Sequence, residues 1–224
     1  MIRELSQELR NKISAGEIVE RPSSVVKELL ENSLDAGATE IVVLIEEGGH
    51  RTIKVRDNGI GMTPEELPLS VLPYHTSKII SADDLSSIDT LGFRGEALAS
   101  IASVSQFSIS SSNGSNEGST IFFEDGAPSA SQPAPKIKGT EVTINNLFYN
   151  TPARKKFLKT PRTELRKIVD IVRRYGLGFP EVSFKLISDN RSIFALHPED
   201  LENRIDKLLD PTYSKNLLPL TLIL

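Results

Sequence analysis

Glu28, Asn32 and Asp35 stand at i, i+4 and i+7 in the run VVKELLENSLDAGA, so on a helix they share one face. A glutamate there can take a proton from water, and an asparagine oxygen is a hard ligand suited to magnesium. Further on, Asp57-Asn58-Gly59-Ile60-Gly61-Met62 sets a carboxylate beside two glycines. Glycine lets backbone pass close to a flat ligand, and a carboxylate accepts a hydrogen bond from an exocyclic amine such as that of adenine. Leu91-Gly92-Phe93-Arg94-Gly95-Glu96-Ala97-Leu98 reads as a glycine-flanked turn opening a helix, whose unpaired N–H groups suit phosphate. It does not follow the G-x-x-x-x-G-K-[ST] pattern, so it is no Walker A loop. Arg94 either reaches phosphate or braces the turn. Thr140, entering a strand at Gly139-Thr140-Glu141-Val142, is an ordinary strand residue or a hydroxyl serving the base pocket beside Asp57. Each piece alone has a plainer reading: a solvated helix face, a tight Asp-Asn-Gly turn, a loop.

The elements that must position these residues follow from periodicity. Val25, Val26, Leu29, Leu30 and Leu34 form an apolar stripe opposite the polar face, with Pro22 in the first turn and Gly37 closing the helix. A short helix on Leu5, Leu9 and Ile13 precedes it. IVVLIEEGGHRTIKVRD reads as a hairpin joined at Gly48-Gly49. Thr63-Pro64-Glu65-Glu66 is a capping box. Residues 72–91 show no sustained periodicity, as expected of a lid. A helix over 94–102, strands over 104–110, 119–124 and 139–147, helices over 153–159 and 162–175 and a hairpin over 182–196 come next. The Pro-rich stretch 126–135 reads as a surface loop. A helix over 198–209 and an apolar strand over 217–224 end the chain, the latter reading as a strand cut short inside a second domain.

Composition narrows the classes. Lys+Arg at 26 against Asp+Glu at 30 gives a net charge of -4, which by itself suggests neither nucleic acid nor membrane. The absence of cysteine excludes a disulfide scaffold, a cysteine nucleophile and a thiolate metal site. His50, His75 and His197 are dispersed without ligand spacing. The charged start is no signal peptide, and no apolar run approaches membrane-spanning length.

The four chemical pieces, in this order, resemble the GHKL ATPases, which include gyrase-type topoisomerases, ninety-kilodalton heat-shock chaperones, histidine kinases and MutL mismatch-repair proteins. The runs ISAGEIVERPSSVVKELLENSLDAGA, RDNGIGM, HTSKI, LGFRGEALASI and LFYNTPARKKFL narrow the resemblance to the MutL family, over residues 13–158. It implies an α/β (α+β) two-layer sandwich, with a mixed, largely antiparallel sheet and helices on one face. Residues 1–200 would form the ATP-binding domain, and 201–224 would begin a truncated second, ribosomal-protein-like domain. Glu28 would be the general base, Asn32 would hold Mg2+ against ATP, and Asp57 would read the adenine amine with Thr140 nearby. Asp35, Gly59, Gly61 and Met62 would line the nucleotide, Thr76, Ser77 and Lys78 would sit in the lid, and residues 91–98 would wrap the phosphates. The implied partners are ATP, DNA, a second copy of the intact protein on ATP binding and a MutS-type mismatch-recognition protein. The location would be cytoplasmic in a bacterium and nuclear in a eukaryote.

Two departures matter. The lid reads Pro73-Tyr74-His75-Thr76, where bacterial members carry a histidine and a small residue before the threonine, and His75 is not assigned to catalysis. MutL proteins also supply a lysine to the terminal phosphate from their second domain, beyond this chain, so binding is expected to exceed hydrolysis. Arg154, Lys155, Lys156, Lys159 and Arg162 open a basic stretch that is either a phosphate-facing stripe for weak, sequence-independent DNA binding or a pair of solvated helices. Among competing functions, a kinase has no need of a water-activating Glu28. A nucleotide-gated clamp without turnover is opposed by the same residue, and a gyrase-type subunit by LFYNTPARKKFL.

Overall fold

Strict alternation of apolar residues in EIVVLIE and TIKVRD buries Ile41, Val43, Ile45, Ile53 and Val55 on one side of a hairpin. That buried side is what the helices cover. The computed structural model describes residues 15–16, 18–78, 90–92, 95–115, 117–124 and 127–209. Helix α1 (Pro22–Asp35) turns Val25, Val26, Leu29 and Leu30 inward and has proline in its first turn, as the sequence requires. It ends in a Schellman arrangement: Ala38 N–H donates to Ser33 O at 3.1 Å and Gly37 N–H to Leu34 O at 2.9 Å, with Gly37 at φ +68°.

Strands β1 (Glu40–Glu46) and β2 (Thr52–Asp57) pair antiparallel across a 3-10 turn (Glu47–Gly49). Short helices α2 (Glu66–Leu69) and α3 (Ala97–Ser103) precede β3 (Gln106–Ser112) and β4 (Gly118–Glu124). Then come β5 (Ala127–Pro128), β6 (Gln132–Ala134) and β7 (Gly139–Asn145). After α4 (Pro152–Lys155) and α5 (Pro161–Gly178) the chain makes β8 (Ser183–Ser188), β9 (Arg191–Leu196) and α6 (Leu201–Leu208).

The sheet order is β5-β4-β3-β7-β2-β1-β8-β9, with β6 also on β4. Among the described pairs only β1 with β8 is parallel, so the sheet is mixed and largely antiparallel, with α1 and α5 packed on its apolar face. Asp189 and Asn190, at φ 47° and 63°, make the tight turn between β8 and β9.

Local signals held well. The capping box forms in both directions: Thr63 N–H donates to Glu66 Oε2 at 2.9 Å and Glu66 N–H to Thr63 Oγ1 at 3.2 Å. The helix expected from residue 94 starts at Ala97. The Pro-rich loop adds two short, exposed edge strands to β4. The first helix expected on Leu5, Leu9 and Ile13 and the strand expected over 217–224 lie outside the described residues.

Residues 201–208, assigned by the sequence to the start of a second domain, form a helix packed on α5. Its anchor is Arg204, which is fully buried. The guanidinium donates to the carbonyls of Gly176 (2.6 Å), Pro180 (2.7 Å), Val182 (3.1 Å) and His197 (2.8 Å), and to Glu199 Oε1 at 2.9 Å. A buried charge so fully paired is costly to cut, because its partners are left in the dark without a donor. Arg204→Met should lower stability by about 3–5 kcal/mol, a fall in Tm on the order of 10 °C for a chain of this size. Thermal unfolding measures it, and an unchanged Tm would show that the clamp gives no net stabilisation.

Candidate functional site

At one end of the sheet the register sets Asp57 of β2 opposite Thr140 of β7, and Thr140 opposite Ser111 of β3. Asp57 Oδ1 accepts from the N–H of Gly59 at 2.9 Å and of Thr140 at 3.3 Å, and Oδ2 accepts from the Ser33 hydroxyl of α1 at 2.9 Å. Ser33 Oγ lies equally close to Leu29 O, at 3.0 Å, so its single proton has two acceptors to choose from. Ser111 Oγ accepts from Met62 N–H at 2.9 Å and stands 2.9 Å from the Thr140 hydroxyl. Burial pushes the Asp57 carboxyl above its ordinary range, against the pull of the Gly59, Ser33 and Thr140 donors.

The two glycines of the loop have a reason the sequence does not reveal. A Cβ at Gly59 would stand 2.8 Å from Ala36 O, and one at Gly61, at φ +66°, would stand 2.0 Å from Ser112 O. The protein's own backbone fills the space that a side chain would need.

The polar face of α1 carries the second cluster. Lys78 Nζ donates to Asn32 Oδ1 at 2.9 Å and to Asp35 Oδ2 at 2.6 Å. The same Asp35 carboxylate accepts from the N–H of Leu91 at 2.9 Å and of Gly92 at 3.2 Å. Asn32 thus has a cation on its oxygen, and the glycine turn has an anion on its amides. Glu28, one turn earlier, is half-buried with Lys27 Nζ at 3.5 Å. Burial raises its carboxyl above the ordinary value, Glu31 adds to the rise, and Lys27 and Lys78 oppose it.

Among the remaining sequence candidates, Thr76 Oγ1 accepts from Lys78 N–H at 3.1 Å, and Ser77 is exposed. Gly95, at φ +62°, accepts from Tyr74 N–H at 3.0 Å, which ties it to the segment before Thr76. Glu96 caps α3 through its carbonyl, Ala97 begins that helix, and Leu98 packs against the core. Phe93 and Arg94 lie outside the described residues. Lys155, Lys156, Lys159 and Arg162 are each exposed. Arg154 departs from that stripe: it is half-buried, and a Cβ at Gly16 would stand 2.0 Å from its guanidinium.

Ser33 and Ser111 complete the Asp57 cluster, and Glu31 with Tyr175 forms a separate pair beside Lys27, none of them singled out in the sequence. Only Glu31, on the same helix face as Lys27, left a local signal.

A cavity of about 450 Å3 opens at the same end of the sheet, lined in part by Asp57, Gly139 and Thr140. Its other walls include Val42, Arg56, Ser110, Ile137 and Glu141. In their strands Val42, Arg56, Ser110 and Glu141 alternate with the buried residues, so they stand on the sheet face away from α1. Cavity and polar clusters meet along the edge of Asp57, Thr140 and Ser111, and the converging donors and acceptors are on the α1 side.

The model of the histidine kinase-, DNA gyrase B-, and HSP90-like ATPase family matches residues 20–147, a span holding both clusters. The DNA mismatch repair protein MutL of Geotalea daltonii is 46% identical over 98% of this chain and 37% of its own length. That of Dictyoglomus thermophilum is 49% identical over 96% of this chain and 37% of its own. The chain therefore spans well under half of these curated relatives. In structure it is similar to the Aquifex aeolicus MutL ATPase domain complexed with ADP, with a TM-score of 0.70 and 36% identity over 85% of this chain and 69% of that one.

The burial of Asp57 has a measurable sign. Its folded-state pKa lies above the ordinary value, so the folded chain holds a proton where the unfolded chain has released it. Stability from this group is gained as pH falls through the folded pKa and is lost at neutrality. In Asp57→Asn the new amide can donate to Ser33 Oγ while Ser33 turns its proton to Leu29 O. The variant should melt at or above the parent's Tm at pH 7, with the advantage vanishing below the ordinary aspartate range. A lower Tm at pH 7 would mean that the carboxylate's hydrogen bonds outweigh its burial.

Proposed function

The chain belongs to the histidine kinase-, DNA gyrase B- and HSP90-like ATPase family, and within it to the MutL ATPase domains; from that premise we propose that it binds and hydrolyses ATP. Asp57 accepts from the adenine amine, with Thr140 and Met62 beside it, and Gly59 and Gly61 keep the loop flat against the sheet end. The phosphates lie between α1, the lid residues Thr76, Ser77 and Lys78, and the stretch from Leu91 to Leu98 that enters α3. Asn32 holds magnesium through Oδ1, the atom on which Lys78 already sets an ammonium. Among the described residues no three His, Cys, Asp or Glu side chains converge, which suits an ion bound by one protein oxygen plus substrate phosphates. Bound there, magnesium neutralises charge on the phosphate oxygens. Glu28 aligns the attacking water and takes its proton, and its raised pKa brings it nearer to a working base.

The observation that carries this reading is the Asn32–Lys78–Asp35 group, one turn from Glu28. A carboxylate there engages an ammonium and two backbone N–H groups, a donor set equally suited to a phosphate. In the intact protein the nucleotide state gates self-association and engagement of DNA and a MutS-type mismatch-recognition partner, in the cytoplasm of a bacterial cell. The relatives named for DNA mismatch repair support that wider role.

Glu28→Ala should lower turnover by about 10²–10⁴-fold and leave ATP affinity near the parent's, because a base acts on water in the transition state. Titration calorimetry and phosphate release read the two separately; turnover surviving within a few-fold would reduce Glu28 to a solvated helix residue.

The exposed set Lys155, Lys156, Lys159 and Arg162 favours weak, sequence-independent DNA binding as a second property of this surface. Each phosphate neutralised adds roughly 0.9 to the slope of log affinity against log salt on duplex DNA. Reversing Lys159 and Arg162 to glutamate should flatten that slope and leave ATP binding intact. Equal losses from a control reversal of Lys12 and Lys54 would show that the stripe is no site.

A further inference from the structure

Beside the proposed base lies a network that the hydrolytic scheme does not use. Glu31 is buried, at 8% exposure, between α1 and α5. Lys27 Nζ stands 2.9 Å from both of its carboxylate oxygens, and the Tyr175 hydroxyl donates to Oε1 at 2.5 Å. Tyr175 is held in turn by stacking on Phe179, with ring centroids 6.3 Å apart and planes at 10°. The same Lys27 ammonium is 3.5 Å from Glu28 Oε1. One cation thus stands between two carboxylates, and the one that holds it closely is not the one facing the reaction.

This division bears on catalysis. A carboxylate closely paired with an ammonium is stabilised in its charged form and takes up a proton poorly. We propose that Tyr175 and Glu31 are positioning residues, which hold Lys27 against Glu31 and so leave Glu28 free to accept the proton of water. The inference rests on Glu28 being the base. Among the described residues the groups facing Glu28 are Lys27 and Glu31 from its own helix and Lys78, while Tyr175 of α5 hydrogen-bonds Glu31 and also feels the Glu28 charge directly. Burial and Glu31 hold the Tyr175 hydroxyl far above its ordinary pKa, so it remains a donor at any working pH.

The plainer role for this network is a tie between α1 and α5, and the two roles separate in the titration of Glu28 itself. In the full chain carrying 13Cδ-labelled glutamate, the Glu28 resonance is assigned by its loss in Glu28→Gln. Tyr175→Phe, which changes no charge, should move the Glu28 midpoint to lower pH, as Lys27 swings onto the base. It should also lower kcat on the order of tenfold without raising KM. Lys27→Met should move the midpoint the other way, and adding Tyr175→Phe to Lys27→Met should then change nothing further. Should Tyr175→Phe fold poorly, Glu31→Gln replaces it, and its downward shift must shrink once Lys27 is Met.

An unmoved Glu28 midpoint in Tyr175→Phe, with only Tm reduced, overturns the proposal and leaves a helix–helix tie. An equal shift with and without Lys27 overturns it as well. If instead Glu28→Ala retains turnover, it is the base assignment that fails, and the titration result stands apart from it.

Discussion

A half-buried carboxylate receiving donors from three directions holds this end of the sheet together. Asp57 draws the Ser33 hydroxyl from the helix, Gly59 N–H from its own loop and Thr140 N–H from the neighbouring strand. Helix α1, the loop after β2 and the start of β7 are thereby fixed relative to one another. Burial makes the charge expensive, and the donors only partly offset that cost. A group so placed is poor for stability and well suited to recognition, since a ligand amine meets an acceptor already oriented by its neighbours.

The same logic runs along α1. Its inward face is an apolar stripe, and its other face carries paired charges: Lys27 with Glu31, and Asp35 with Lys78 and two backbone N–H groups. Asn32, between them, has a cation on its oxygen. Among the described residues Glu28 alone of the carboxylates on this face has its nearest cation no closer than 3.5 Å. An under-paired carboxylate, half-buried on an otherwise paired helix, is where proton chemistry is expected.

What the sequence revealed was local. The α1 stripe, the β1–β2 hairpin and the Thr63–Glu66 capping box depend on spacings of two to four residues, and all three stand in the structure. The β-sheet architecture came through resemblance, and the family match accords with it. Contacts set by register or by side-chain direction were not legible. Ser111 reaches Thr140 only because β3 and β7 pair in one register, and Tyr175 meets Glu31 across 144 residues of chain. Arg154 reads as one of five basic residues, yet turns in over Gly16 because that residue has no side chain to exclude it. Arg204, in a stretch whose spacing reads only as a helix, is buried because acceptors from α5, the β8 approach and the end of β9 converge on it. The glycines at 59 and 61 read in the sequence as room for a flat ligand, and in the structure the close approach that requires them is to Ala36 and Ser112.

The central claim is that the α1 face and the Asp57 end of the sheet are two halves of one nucleotide site. A crystal structure with a non-hydrolysable ATP analogue and magnesium tests it most directly. The account predicts the adenine amine within hydrogen-bond distance of Asp57, magnesium on Asn32 Oδ1 and Lys78 moved off that oxygen onto phosphate. A nucleotide seated instead among Val42, Arg56 and Glu141 on the opposite face, with the Lys78–Asn32 contact intact, would contradict it.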